Sequence, residues 1–72
     1  MEQETLNELR RATGDLRWHA SKFSTEITKS EPDWSLGSHF FKDVIIAWQE
    51  FVVKAWKYDY EIRSKENSEQ AG

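Results

Sequence analysis

Apolar residues recur every three or four positions through the first third of the chain. From residue 6 onward the spacing alternates between three and four, which is the pattern of a heptad seam on an α-helix. It predicts a helix over about residues 5–29, with Thr5 as its N-cap and Glu8 completing a capping box. The predicted seam is Leu6, Leu9, Thr13, Leu16, Ala20, Phe23 and Ile27.

Residues 30–38 hold the clustered helix breakers of the sequence. Pro32 pushes the residue before it out of the helical region, and Gly37 permits a positive φ angle. Ser38 is a favourable N-cap for a following helix. The segment therefore predicts a chain reversal. An alternative makes Ser30 the cap of one short helical turn that ends before Gly37.

A second helix is predicted over about residues 38–65, followed by a polar tail over residues 66–72 that is expected to be disordered. The two helices are similar in length and are joined by a short connection. They can therefore pair antiparallel along nearly their whole extent. The predicted fold is all-α, an antiparallel helical hairpin that forms one domain over residues 1–65.

The second helix carries more apolar surface than one neighbouring helix can cover. When its residues are placed at about 100° per residue, the apolar ones fall into three stripes. The stripe that matches the first helix is Val44, Trp48, Phe51, Ala55, Tyr58 and Ile62. The stripe beside it is Phe41, Ile45, Val52 and Trp56, and a thinner third stripe is Ile46, Val53 and Tyr60.

A seam on the first helix can cover one of these stripes and leaves the others free. Burying the second stripe would contribute about 1.5–3 kcal/mol per side chain, which is comparable with the whole stability of a small domain. We therefore expect the chain to bind a second copy and form a two-fold four-helix bundle. The residues expected at this interface are Phe41, Ile45, Trp48, Val52 and Trp56.

Two tryptophans lie outside these stripes. Trp18 is on the side of the first helix away from the seam, and tryptophan is enriched in binding hot spots. The alternative is that Trp18 packs on neighbouring aliphatic stems. Trp34 in the turn is expected to fold back over the open end of the hairpin, or else to be an exposed recognition residue. The candidates for binding a different protein are Trp18, Ile46, Val53 and Tyr60.

Composition and charge narrow the function classes. A chain of 72 residues is marginally stable alone, and the absence of cysteine excludes disulfides and thiolate metal sites. The net charge of −3 argues against a dedicated nucleic-acid binder. Charges interrupt the apolar stretch 40–58, which argues against a membrane-spanning helix. No signal peptide is predicted, so the expected location is the cytoplasm.

The sequence predicts no catalytic, metal or cofactor site. In an antiparallel hairpin His19 and His39 lie far apart, and two helices offer no pocket for a hydrolytic triad. The expected function is a non-enzymatic interaction module, such as an adaptor, inhibitor or regulatory subunit. The alternative is a nucleic-acid-binding helical bundle that uses a basic face of the first helix. That face is Arg10, Arg11, Arg17 and Lys22, although acidic neighbours favour a solvated charged surface.

Trp34-Ser35-Leu36-Gly37 lies between the two predicted helices and is followed by Phe41 and Trp48 at helical intervals. This outline resembles the helix, turn and helix of the WXG100 secreted proteins. The spacing here is W-x-x-G rather than W-x-G, and the chain is short for that family. The resemblance supplies a minor alternative, a small helical dimer secreted without a signal peptide.

Overall fold

The computed structural model describes the backbone of residues 2–71 and the side chains of residues 2–67. It consists of two helices, α1 over Glu2–Ile27 and α2 over Trp34–Ala71. The helices pack antiparallel, and the molecule measures 60 × 16 × 15 Å. The described residues form no strand. The predicted all-α helical hairpin is therefore confirmed.

Helix α1 begins at Glu2, three residues before the predicted start. Thr5 lies inside the helix and is buried, so the predicted capping box was wrong. The Thr5 hydroxyl donates to Oε1 of Glu61 on α2 at 2.9 Å. Its side chain thus contributes to the contact between the helices.

The connection between the helices spans residues 28–33, which is shorter than predicted. Asp33 is the N-cap of α2, because its Oδ1 accepts the N–H groups two and three residues later at 3.0 and 3.4 Å. Neither Ser30 nor Ser38 has this role. The hydroxyl of Ser38 bonds to the carbonyl of Ser35 within the helix at 3.0 Å.

Residues 34–37 form the first turn of α2 and are not part of the connection. The segment that resembles the WXG100 turn is therefore helical in this chain. Gly37 has no positive φ angle. It is buried beneath Trp34, and a Cβ added to Gly37 would lie 3.2 Å from Cε3 of Trp34. Close approach, rather than turn conformation, explains this glycine.

The seam between the helices differs from the predicted one in every second position. Leu9, Leu16 and Phe23 are shared with the prediction and are partly buried. The observed seam then uses Thr5, Ala12, His19 and Glu26 in place of Leu6, Thr13, Ala20 and Ile27. On α2, Ala47 is buried at 7% exposure, whereas the neighbouring Trp48 is 54% exposed. Small side chains at the seam let the two backbones approach closely, which a tryptophan would prevent.

Helix α2 continues to Ala71, so the tail predicted to be disordered is helical over residues 66–71. Gly72 and Met1 lie outside the described residues. The polar composition misled the prediction, because glutamate and glutamine are good helix formers and no glycine or proline interrupts residues 38–71. Although α2 is long, no helix in the described part of the chain has the sustained apolar run that crossing a membrane requires.

Gly14 lies exposed in the middle of α1, and a Cβ added there would meet no atom within 4 Å. We expect Gly14→Ala to stabilise the fold by about 1 kcal/mol, because alanine loses less backbone entropy in a helix. Urea denaturation measures this change. Gly37→Ala is the matched comparison, since the contact with Trp34 opposes the same gain. Equal stabilisation by both changes would contradict that contact.

Candidate self-association surface

The hairpin buries very little apolar surface by itself. Among the described side chains, the buried apolar ones are Ala12 and Ala47, and all four tryptophans are more than half exposed. The accessible surface is 5716 Å². A compact monomer of this mass would expose about 4700 Å². The isolated chain therefore shows roughly 1000 Å² more surface than its size requires.

Several of the exposed apolar residues share one side of the hairpin, whereas Trp18, Ile46, Val53 and Tyr60 lie elsewhere. In an antiparallel helix pair, the residue that follows Thr5, Ala12 or Glu26 lies on the same side as the residue that follows Ala47 or Glu61. We call this side the apolar flank. It consists of Leu6, Thr13, Ala20 and Ile27 on α1, with Phe41, Ile45, Trp48, Val52, Ala55 and Ile62 on α2. The charged residues Arg10, Arg17 and Asp59 border it, because each follows a seam residue of its own helix.

The residues predicted for self-association lie on this flank or at its edge. Phe41, Ile45 and Trp48 are 43%, 39% and 54% exposed, and Val52 is half-buried. Trp56, 71% exposed, lies at the outer edge. The structure thus places the predicted set on one continuous surface of the single chain. The heptad pattern did not predict the part of the flank on α1, because those residues were assigned to the seam inside the hairpin.

An aromatic cluster closes the flank at the turn end. The ring of Phe23 lies 6.3 Å from that of Trp34 and 5.9 Å from that of Phe41, and the last two rings are 6.3 Å apart. Trp34 nevertheless remains 58% exposed. It packs against the end of the hairpin, as expected, but it also keeps a free surface. The expected contact of Trp34 with the end of the hairpin is present, and its role in recognition stays a prediction.

The carboxylate of Glu26 links the end of α1 to the start of α2 by hydrogen bonds. Its side chain is 4% exposed, its Oε1 accepts from Nζ of Lys29 at 2.9 Å, and its Oε2 accepts the N–H of Asp33 at 3.0 Å. The hydrogen bond from Asp33 lowers the pKa of Glu26, and the bond from Lys29 lowers it further, against the opposing effect of burial. The carboxylate therefore holds the connection closed, a role that the sequence analysis did not foresee.

We call the opposite side of the hairpin the charged flank. It carries Glu8, Asp15 and Lys22 on α1 with Asp43, Glu50 and Lys57 on α2. Oε2 of Glu8 lies 3.5 Å from Nζ of Lys54 and 3.9 Å from Nζ of Lys57. Partly exposed ion pairs of this kind contribute under about 1 kcal/mol each. They orient the helices more than they stabilise them.

The residues predicted to bind a different protein border the charged flank. Trp18 is 61% exposed on α1, and Ile46, Val53 and Tyr60 are 64%, 59% and 72% exposed on α2. Nζ of Lys22 lies 4.7 Å from the centre of the Trp18 ring. The structure therefore places these residues around the same flank. Trp18 packs on the side chain of Lys22 and stays accessible, and its role as an anchor for a partner stays a prediction.

The four basic residues of the nucleic-acid alternative do not share one face. Arg10 and Arg17 lie on one side of α1, and Arg11 and Lys22 lie about 100° or more away around the helix. Lys22 is engaged with two aromatic rings, those of Trp18 and Phe40.

In the part of the chain whose side chains are described, no group of three histidine or acidic residues is placed to hold a metal ion. Comparison with known proteins finds no matching family model, curated protein or solved structure.

Thr5→Val is expected to lower the free energy of unfolding by about 1–3 kcal/mol, because it removes the hydrogen bond to the Glu61 carboxylate. The other carboxylate oxygen, Oε2, is already buried without a hydrogen-bond partner among the described residues. Chemical denaturation measures the change. Thr25→Val is the control, since that hydroxyl bonds to Ser21 within its own helix and is exposed. A loss no larger than the control's would argue against the bond between the helices.

Proposed function

We propose that this chain is a non-enzymatic protein–protein interaction module of the cytoplasm that self-associates through the apolar flank. It would act as an adaptor, inhibitor or regulatory subunit. The observation that supports the proposal is the exposure of aromatic and aliphatic side chains on one continuous side of a hairpin with almost no apolar core. Contiguous apolar patches of this kind mark interaction sites.

Sedimentation velocity over a range of concentrations tests the proposal. The expected result is a reversible change from hairpin to dimer as the protein concentration rises into the micromolar range. The helical content should rise or stay constant across that change. A well-folded monomer that neither associates nor aggregates at micromolar concentration would remove the proposal.

A second binding site for a different protein is proposed at the border of the charged flank. Its supporting observation is that Trp18 and Ile46 are both more than 60% exposed on that side, which stays outside a dimer formed through the apolar flank. Trp and Tyr are the residue types that most often anchor such contacts. The candidates remain Trp18, Ile46, Val53 and Tyr60.

Trp18→Ala is expected to leave the fold and self-association unchanged, because the ring contributes little to the contact between α1 and α2. The melting temperature and the sedimentation profile should match those of the parent chain. Binding of a native partner, recovered by pull-down and identified by mass, should weaken at least tenfold. Unchanged recovery of every partner would exclude Trp18 as an anchor.

The nucleic-acid-binding alternative is the weaker proposal, since its basic residues are divided between two sides of α1. It predicts an affinity that falls steeply as salt is added. A gel-shift experiment at low salt, with duplex and single-stranded probes, tests it directly. No shift with either probe would remove it.

A further inference from the structure

We infer that two hairpins join by their apolar flanks with α1 of each copy opposite α2 of the other, around a two-fold axis parallel to the helices. This inference rests on the proposed self-association and adds its geometry. The occupant of the flank is a second copy of the chain. Three features of the hairpin support this arrangement: the area of its surface, the sizes of its side chains and the register of its helices.

The excess surface of the whole elongated hairpin is close to what one interface with a second hairpin would bury. The chain exposes roughly 1000 Å² beyond a compact monomer of its mass. A stable interface of standard size buries about 800 Å² on each partner. One contact of the whole flank would therefore bring the exposed area close to that of an ordinary globular protein.

The side chains of the flank differ in size between the two helices. The middle of the flank on α1 is small, with Thr13 and Ala20 and the exposed Arg17 at its outer edge, whereas the middle on α2 carries Trp48 with Ile45 and Val52. Large side chains pack best when they meet small ones across an interface. The flank is therefore complementary to itself when α1 meets α2, and not when like helices meet.

The register of the hairpin places the large side chains of α2 at the same height as the small side chains of α1. Thr5 bonds to Glu61, and Phe23 contacts Phe41. These two pairs fix which residues of α1 and α2 lie at the same height along the hairpin. Trp48 lies at the height of the gap between Thr13 and Ala20, and Val52 lies at the height of Thr13. A two-fold axis parallel to the helices preserves these levels.

The indole of the partner's Trp48 would therefore enter the gap between Thr13 and Ala20, as a knob enters a hole.

The alternative axis, perpendicular to the helices, would bring like helices together. Two copies of Trp48 would then crowd each other, and Thr13 would face Ala20 across a space that neither fills. Overpacking and empty cavities both destabilise an interface. The flank therefore favours the parallel axis.

Cross-linking between differently tagged chains tests the arrangement, and the absence of native cysteine makes the probes specific. A chain carrying Thr13→Cys is co-expressed with one carrying Val52→Cys, and the mixture is treated with a short bis-maleimide. Because each chain holds one cysteine, every link must join two chains. We expect a covalent heterodimer at least tenfold more abundant than that formed with Gln49→Cys, which lies on the outer surface of α2.

The competing arrangement has its own pair, Thr13→Cys with Ala20→Cys, in which α1 meets α1. A strong link in that pair, or no link in either pair while sedimentation still shows a dimer, would overturn the inferred geometry and leave the proposed self-association standing. A chain that stays monomeric at micromolar concentration would overturn both.

Discussion

Val52→Asp is expected to dissociate the self-associated chain. Val52 lies near the middle of the apolar flank and is already half-buried in the single hairpin. An aspartate there would carry an unpaired charge into an apolar interface, which costs about 3 kcal/mol or more for each copy. Because about 1.4 kcal/mol corresponds to a tenfold change, the dissociation constant should rise more than 100-fold. Sedimentation equilibrium measures the shift.

The matched control is Gln49→Asp, which adds the same charge to the exposed outer face of the same helix. It should leave the dissociation constant within a few-fold of the parent value. Trp56→Asp, at the edge of the flank, should weaken association by an intermediate amount. If Val52→Asp and Gln49→Asp behave alike, the apolar flank is not the interface. Circular dichroism on each variant separates loss of association from loss of the fold.

Glu26→Gln is expected to lower the melting temperature by several degrees at neutral pH, and to have progressively less effect in acid. The folded chain lowers the pKa of Glu26 from its ordinary value of 4.5. A group with a lowered pKa binds protons more weakly in the folded state than in the unfolded state. Its contribution to stability is therefore complete above pH 4.5 and is lost as the pH falls through the lowered pKa.

Thermal unfolding of both proteins at fixed concentration, from pH 7 down to about pH 3, measures this difference. The effects of the other carboxyl groups cancel when the two curves are subtracted. Glu31→Gln is the control, because Glu31 is exposed in the same connection and should change little. A difference between Glu26→Gln and the parent chain that does not depend on pH would show that the negative charge of Glu26 does not stabilise the fold.

The sequence predicted the hairpin because its heptad spacing is strong in both halves. It did not predict which residues of each helix point at the other helix. The prediction chose the more apolar neighbours Leu6 and Trp48 for the seam, whereas the structure uses Thr5 and Ala47. Hydrophobicity alone ranks Trp48 above Ala47. The close approach of two helices reverses that order, and only the paired geometry reveals it.

The assignment of the seam also explains which residues of the candidate surface were predicted and which were not. Phe41, Ile45 and Val52 were identified because they exceed what one seam can cover. Thr13 and Ala20 were missed because the pattern had already assigned them to the contact with α2. The helix boundaries moved for local reasons, since Asp33 caps α2 and favourable residues carry it to Ala71.

The scarcity of buried apolar side chains has a consequence for the lifetime of the chain. Among the described residues only Ala12 and Ala47 are buried apolar side chains, so a second copy on the apolar flank, as proposed, would make the stability of the chain depend on its own concentration. Copies without a partner would unfold more often and be removed by proteases. The abundance of the chain would then follow its state of assembly, with no dedicated regulator.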